Sequence, residues 1–573
     1  MRLFTRAAYA TLFLAYLASA HGDDYTMDMD MTMSMDMHRS SSAAAPSQDT
    51  QSEGPTSYFA YGQHTNTIMA HIALMTLGWC FVLPAAVMLS IGRSRLALPA
   101  QFVFLVFNTL GLLFGIIYNS QTPDLYENNV HHKIGWIVTW VSVAQVVLAL
   151  IFCYADRGES KHSQSRSFSC AAFLPVATDE HECHFPTGAG RWSRDNGQDT
   201  EPDCSVRSTS SPSCGSPAEY YSFEQPDGLH SKPSGPRDWF QSSIVGRFLL
   251  SRVPGMVPNR VLRIFNGVYD MIDRIILPFG FVAIATGAVT YGGIFHGIEI
   301  FNGLAHFIKG GIFFWYGIIT LGRFMGAWAD LGWAWNKKPP ASVVGWKAKV
   351  PLGEFVESFV IWLYGVINVF LEHLAGSGKE WTARDMEHVS ISIMFFGGGL
   401  VGMLFESRRI LEALNSTLLQ SSTQEFDNGN WQPPKSQGVS LNPMPALVIL
   451  LLGMMMGSHH QDSMTSTMVH KQWGNMLIGF AIARIMTYVL LYLRPPTSYL
   501  PARPPTEIVA GFCLISGGLI FMLSTRQVIE AMEFYELDAM FTFTVGMGFT
   551  AFIMSLVVLN IAIKAWAVKR ERA

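Results

Sequence analysis

Charge is what this chain lacks most. Only 14% of its 573 residues are Asp, Glu, Lys or Arg, against about 25% in an ordinary soluble domain. Hydrophobic residues make up 49% and aromatics 13%, so a polytopic membrane protein is the first expectation. Cysteine is sparse as well: seven residues and no CxxC pair. Four of them (Cys170, Cys183, Cys204 and Cys214) fall in one polar loop, at spacings that suit neither a zinc ribbon nor a disulfide framework. No P-loop, dinucleotide fingerprint or hydrolase triad occurs, and a net charge of −4 gives no reason to expect a nucleic-acid partner.

What is present is a series of apolar runs. Windows of about 20 apolar residues mark membrane helices, and eleven are expected: 66–91, 98–119, 131–154, 273–295, 301–325, 352–373, 386–406, 443–460, 470–493, 507–524 and 541–565. The fold class is therefore all-α, a polytopic transmembrane helix bundle in contact with membrane lipids. The fourth run follows the amphipathic "NRVLRIFNGVYDMIDR", with Asp270, Asp273 and Arg274 on its polar side, which reads as an interfacial helix or an extension of the span. The opening "MRLFTRAAYATLFLAYLASAHG" has the basic start, apolar centre and Ala18-Ser19-Ala20 site of a cleaved secretory signal peptide over residues 1–20. Residues 21–60 form a Met/Asp/His-rich outer tail and linker, and 156–240 a disordered cytoplasmic loop rich in Ser, Gly, Pro and charge.

Short loops rich in Lys and Arg face the cytoplasm. An outside N-terminus places Arg93, Arg95, Lys337, Lys338, Arg408, Arg409, Arg494, Arg503 and the tail "VKRERA" inside. The exception is Lys379 with Arg384, diluted by Glu380 and Asp385. The chain is expected in a membrane of the secretory pathway, with its C-terminus cytoplasmic and the sequon at Asn415 unmodified.

With the topology taken from lysine and arginine, the histidines fall independently on one side. His71, His131, His132, His306, His388, His459, His460 and His470 all lie at outer helix ends. A purely amphipathic role predicts histidine at both interfaces, so the bias favours a metal or cofactor layer, since ionisable residues in spans are functional candidates by default. Three of them repeat one spacing: "HHKIG", "HFIKG" and "HKQWG" each place a glycine (Gly135, Gly310, Gly474) four residues on. That glycine lies one turn deeper on the histidine's face, making room for a flat macrocycle or for a neighbouring helix. The acidic pair Glu354 and Glu357, near the inner end of the sixth run, is expected to snorkel or to pair with lysines of the preceding loop.

"HIALMTLGWCFVLP", from His71 through Met75, Trp79 and Pro84, and "HHKIGWIVTWVSVAQ", from His131 through Gly135 and Gln145, resemble the first and third core helices of the cytochrome b-561 family. That resemblance covers residues 61–155 and implies haem b held by His71 and His131 beside Gly135. No histidine occurs between His71 and His131, so the family's second-helix ligand, and with it an inner haem, is absent. The chain after the tail, through 241–573 and including "MMMGSHHQ" and "HKQWGNMLIGFAIARIMTY", resembles the fungal Ytp-type multispanning proteins. A second pair in this half is expected from His388 and His470, with Gly474 beside them.

The tail carries Met27, Met29, Met31, Met33, Met35 and Met37 at every second position, then His38. An extended strand puts these thioethers on one side, and thioethers prefer Cu(I). With His306, His459 and His460 they form the expected metal-binding set, with copper the candidate. Two functions remain open beside a purely structural or trafficking role. One is a haem b redox component or metal reductase at the outer face, its electron donor unspecified. The other is a copper or zinc transporter or sensor without haem.

Overall fold

The computed structural model describes residues 57–159, 259–297, 299–375, 383–420, 438–458, 461 and 463–572. The signal peptide, the methionine run with His38, and His459 and His460 lie outside the described residues.

The described chain is helical throughout. The helices are α1 (Thr65–Ile91), α2 (Ala97–Gln121), α3 (Val130–Glu159), α4 (Asn259–Gly292), α5 (Glu299–Met325) and α6 (Gly353–Ala375). They continue with α7 (Ala383–Phe405), α8 (Met444–Gly457), α9 (Met464–Leu493), α10 (Thr506–Leu523) and α11 (Ala539–Arg572). Below, the outer end is the one at which α1 begins.

Among the described residues, ten helices are long and apolar enough to cross a membrane, against eleven expected. The difference is α8, whose 14 residues reach about 21 Å of a core about 30 Å thick. It reverses the chain all the same. The α5–α6 and α9–α10 loops lie together, Lys337 N donating to Ser498 O at 3.0 Å and Asn336 Nδ2 to Tyr499 O at 2.7 Å. Helices α5 and α9 therefore run the same way, and after α7 has descended, α8 must carry the chain back. The amphipathic approach to the fourth span is an extension of it, since α4 is one helix from Asn259. Ser463 caps α9 by accepting from Ser466 N at 3.1 Å, which starts that helix six residues before His470.

Local chemistry sets the main irregularity. Pro84 donates no hydrogen bond and its ring crowds the preceding turn, and α1 widens over Leu77–Val82 into a π turn. Trp79 sits in that turn, 6% exposed, and its Nε1 donates to Asn108 Oδ1 at 3.1 Å. Asn108 Nδ2 in turn donates to Thr139 Oγ1 at 3.2 Å, joining α1, α2 and α3. The fourth member is α4, where a Cβ on Gly280 would come within 2.6 Å of the Trp79 ring.

The second half packs through α5, α9 and α10. Gly310 and Gly518 face each other so closely that a Cβ on either would come within 2.6 Å of the other's carbonyl oxygen. Around this contact lie Val469, Trp473, Leu477, Phe480 and Leu514, all at most 1% exposed. Close backbone approach through small residues is how helices gain contact in lipid, where the hydrophobic effect gives no drive to associate.

Candidate functional site

The outer ends of the helices bring histidines together twice. His71 on α1 faces His131 on α3 with ring centres 6.3 Å apart and planes at 82°. His306 on α5 faces His470 on α9 with ring centres 6.3 Å apart and planes at 89°. The partner of His470 is thus a residue of the fifth helix. His388 lies on α7, half-buried, its carbonyl accepting from Ser392.

Three of these four rings are tied back by one nitrogen. His71 Nδ1 lies 2.8 Å from Gly111 O, His131 Nδ1 lies 3.1 Å from Ala283 O, and His470 Nδ1 lies 2.8 Å from Ser466 O. A carbonyl only accepts, so Nδ1 carries a proton, and in the neutral ring Nε2 is then the nitrogen with the lone pair. This is the arrangement that fixes tautomer and ring direction in metal-ligating histidines. A metal held by imidazole nitrogens at about 2.0–2.1 Å on opposite sides separates the ring centres by roughly 6 Å, whereas tetrahedral placement brings them to roughly 5 Å. Both separations fit the opposed arrangement. Among the described residues, no group of three or more His, Cys, Asp or Glu could hold a metal ion.

A Cβ at Gly135 would meet nothing within 4 Å, so the space beside it is open among the described residues. The histidine rings themselves lie against glycines of neighbouring helices: a Cβ on Gly115 of α2 would come within 2.9 Å of His71 Nδ1, and one on Gly287 of α4 within 2.9 Å of the His131 ring. Gly474 and Gly310 serve helix packing, Gly474 lying against Gly453 O and Gly310 against Gly518 O. The backbone partners Gly111, Ala283 and Ser466 also escaped sequence reasoning. Only Ser466, one turn before His470 on the same helix, had a legible spacing. His132 is exposed, with its backbone N–H accepted by Asn129 Oδ1 at 2.9 Å.

Towards the inner end lie two polar networks. In the first half, Asp273 is buried rather than interfacial, and accepts from Ser90 Oγ at 2.6 Å and from Gln145 Nε2 at 2.5 Å. Ser90 and Gln101 both reach the Tyr269 hydroxyl, at 2.9 and 2.8 Å. In the second half, Glu354 and Glu357 pair with arginines of other helices, not with loop lysines. Arg323 donates to Glu354 at 2.7 Å and to Glu357 at 2.5 Å, and Arg484 donates to Glu357 at 3.2 Å. Lys347 pairs instead with Asp330, and Lys338 donates to Val350 O. Arg484 also lies 2.8 Å from Glu507, side-on, so that both Glu507 oxygens lack an aligned hydrogen bond. Arg323, Arg484 and Glu507 were missed from the sequence, although an arginine within "FAIARIMTY" is itself a signal.

The comparisons with known proteins follow the two halves. Residues 279–565 match the family described as Protein YTP1-like, C-terminal, and residues 52–155 match a domain of unknown function, DUF2427. An uncharacterized membrane protein of Schizosaccharomyces pombe is 34% identical over 524 residues, covering 89% of this chain and 96% of the relative. An uncharacterized membrane protein of Saccharomyces cerevisiae is 39% identical over 323 residues, covering 54% and 49%. Protein YTP1 of the same yeast is 26% identical over 174 residues, covering 30% and 31%. No solved structure matches. The C-terminal match and the near full-length relative carry the assignment: the chain belongs to the Ytp1-like family of fungal multispanning membrane proteins.

Proposed function

We propose that this protein is a membrane redox component with two metal-centred sites at its outer end, each holding the iron of a haem b between opposed imidazoles. One observation carries the reading: two histidine pairs on different helices repeat one ring separation, 6.3 Å, with nearly perpendicular planes. His71 and His131 would hold one group, and His306 and His470 the other. Haem b, if held there, would supply one-electron transfer. The chain's own residues do the rest. The Gly111, Ala283 and Ser466 carbonyls hold the Nδ1 protons and so keep each Nε2 unprotonated, and Gly115 and Gly287 let the rings lie against helix backbone.

A copper-handling protein is the second reading, favoured by the alternating methionines from Met27 to Met37. An opposed pair of imidazoles also suits Cu(I), which the thioethers would deliver. Absorption spectra and metal analysis of the purified protein, made with ample haem, separate the two. The haem reading expects a reduced-minus-oxidised b-type band and two equivalents of iron per chain. His71→Ala or His131→Ala should halve the iron, as should His306→Ala or His470→Ala, while His132→Ala and His388→Ala keep it. A preparation with no band and no iron would sink the haem reading, and stoichiometric copper in its place would establish the second.

From the lysines and arginines of the short loops we infer the orientation as well, with the histidine end facing the lumen or exterior of a secretory-pathway membrane and the C-terminus the cytoplasm. Asn415 is exposed on a surface helix, Arg408–Gln420, beyond the inner end of α7. Glycan on Asn415 in the native protein would reverse the assignment.

A further inference from the structure

Below the first histidine pair, towards the inner end, the helices α1, α2, α4, α5 and α11 surround a cavity of about 2330 Å³. Ligand pockets for drug-sized molecules occupy about 300–1,000 Å³, so this space is of a different order. Its deeper walls are apolar, including Leu277, Phe281, Phe314, Trp315, Phe552 and Ile553. Its other end is basic. Among the cations lining it, Arg95 pairs with Glu571 and Lys347 with Asp330. Arg274, Lys564, Lys569 and Arg572 also line it and make no ion pair among the described residues. The carboxylates there are Asp270, Asp273 and Asp330, of which Asp273 is engaged by Ser90 and Gln145.

Trp328 and Trp346, both exposed, stand at the rim, as tryptophans do at a membrane interface.

We propose that this cavity binds an anionic glycerophospholipid. Its phosphate lies at the basic end, towards Arg274, Lys564, Lys569 and Arg572, and its acyl chains run along the aromatic wall. Basic pockets between membrane helices recognise such headgroups. The inference does not rest on the metal reading and is tested without reference to it.

The full-length protein in detergent is mixed with phosphatidylinositol 4-phosphate, phosphatidylserine or phosphatidylcholine, and retained lipid is counted by native mass spectrometry. One phosphatidylinositol 4-phosphate per chain is expected, with phosphatidylserine weaker and phosphatidylcholine not retained. The Lys564→Gln, Lys569→Gln double variant should lower apparent affinity roughly 10- to 30-fold, given about 1 kcal/mol for each basic residue at a membrane surface. Lys133→Gln with Lys471→Gln, at the outer end, should change nothing. Equal retention of all three lipids would overturn the proposal in favour of annular lipid. Full displacement by equimolar free inositol phosphate would overturn it in favour of a soluble anion site.

Discussion

The two halves of this protein carry the same histidine geometry at the outer end and opposite solutions at the inner end. Under His71 and His131 the polar core is a hydrogen-bonded set around one carboxylate, Asp273, and it borders the large cavity. Under His306 and His470 the core is a closed ionic network in which three carboxylates, Glu354, Glu357 and Glu507, face two guanidiniums, Arg323 and Arg484. Aromatic faces cover the cations: Arg323 lies 4.3 Å from the Trp335 ring centre and Arg484 5.3 Å from that of Phe480. The contrast separates two tasks. A dry ionic network must be complete, because each member depends on the others, and it locks α5, α6, α9 and α10 into one arrangement. A hydrogen-bonded set beside open space tolerates change and leaves room for an occupant. The second half carries the ionic frame, and the chamber lies where α1, α2 and α4 of the first half meet α5 and α11 of the second.

The largest test of this contrast removes one charge from each half. Arg484→Leu strands Glu507 and part of Glu357 in a dry core and should cost about 3–5 kcal/mol, seen as loss of thermal stability or of purified yield. Asp273→Asn keeps shape and most of its hydrogen bonding and should cost about 1 kcal/mol. Arg484→Gln combined with Glu507→Gln should recover part of the Arg484→Gln loss, since it removes the uncompensated charge as well. Equal damage from Asp273→Asn and Arg484→Leu would erase the distinction between frame and chamber.

A smaller effect separates the glycines. Gly474→Ala puts a Cβ 2.7 Å from Gly453 O, and overpacking of this kind costs about 1–3 kcal/mol. Gly135→Ala meets nothing and should be neutral or up to about 1 kcal/mol stabilising, as alanine is the better helix former. Melting temperatures in detergent report both. A destabilised Gly135→Ala would mean that this face is covered by something beyond the described residues.

Smaller still in stability, but local in its readout, is Gly287→Ala. Its Cβ would press on the His131 ring, which can tilt, so the helix bundle should lose only about 1 kcal/mol. The metal or haem content of the His71–His131 pair should fall while that of the His306–His470 pair is unchanged. Loss at both pairs together would show that the halves are coupled.

A different kind of effect is a pH dependence at the inner edge of the frame. Glu406, the first residue beyond the α7 span, accepts from Ser440, and its carboxyl is pushed up to about 7, first by burial, with Glu354 and Glu357 adding to it. A carboxyl raised in the folded state favours folding while protonated. Its contribution is therefore full below the ordinary carboxylate range and is lost as pH rises through about 7. Glu406→Gln should flatten the wild-type fall in melting temperature between pH 5 and 8. An unchanged slope would assign that dependence to another group.

The sequence by itself determined the class of this protein, a polytopic helix bundle, and the common end at which these histidines lie. Those properties are one-dimensional: an apolar run of membrane length must be a helix, because backbone groups in lipid have no other partner. Successive crossings alternate, so ten long helices and the short α8 place His71, His131, His306 and His470 at one end without any knowledge of packing. Which histidine meets which was decided only by the tertiary structure. His470 pairs with His306 because α5 and α9 both contact α10, whereas sequence spacing had suggested His388. The glycines divide in the same way. On α5 and α9 the glycine one turn after histidine admits a neighbouring helix, one of the two uses its spacing allowed, whereas the glycines that touch the His71 and His131 rings, Gly115 and Gly287, lie on other helices. The buried arginines were visible as charges in apolar runs, but their partners lie on helices far apart in the chain. A contact across helices depends on rotation and depth of two cylinders, and neither is written in the periodicity of one.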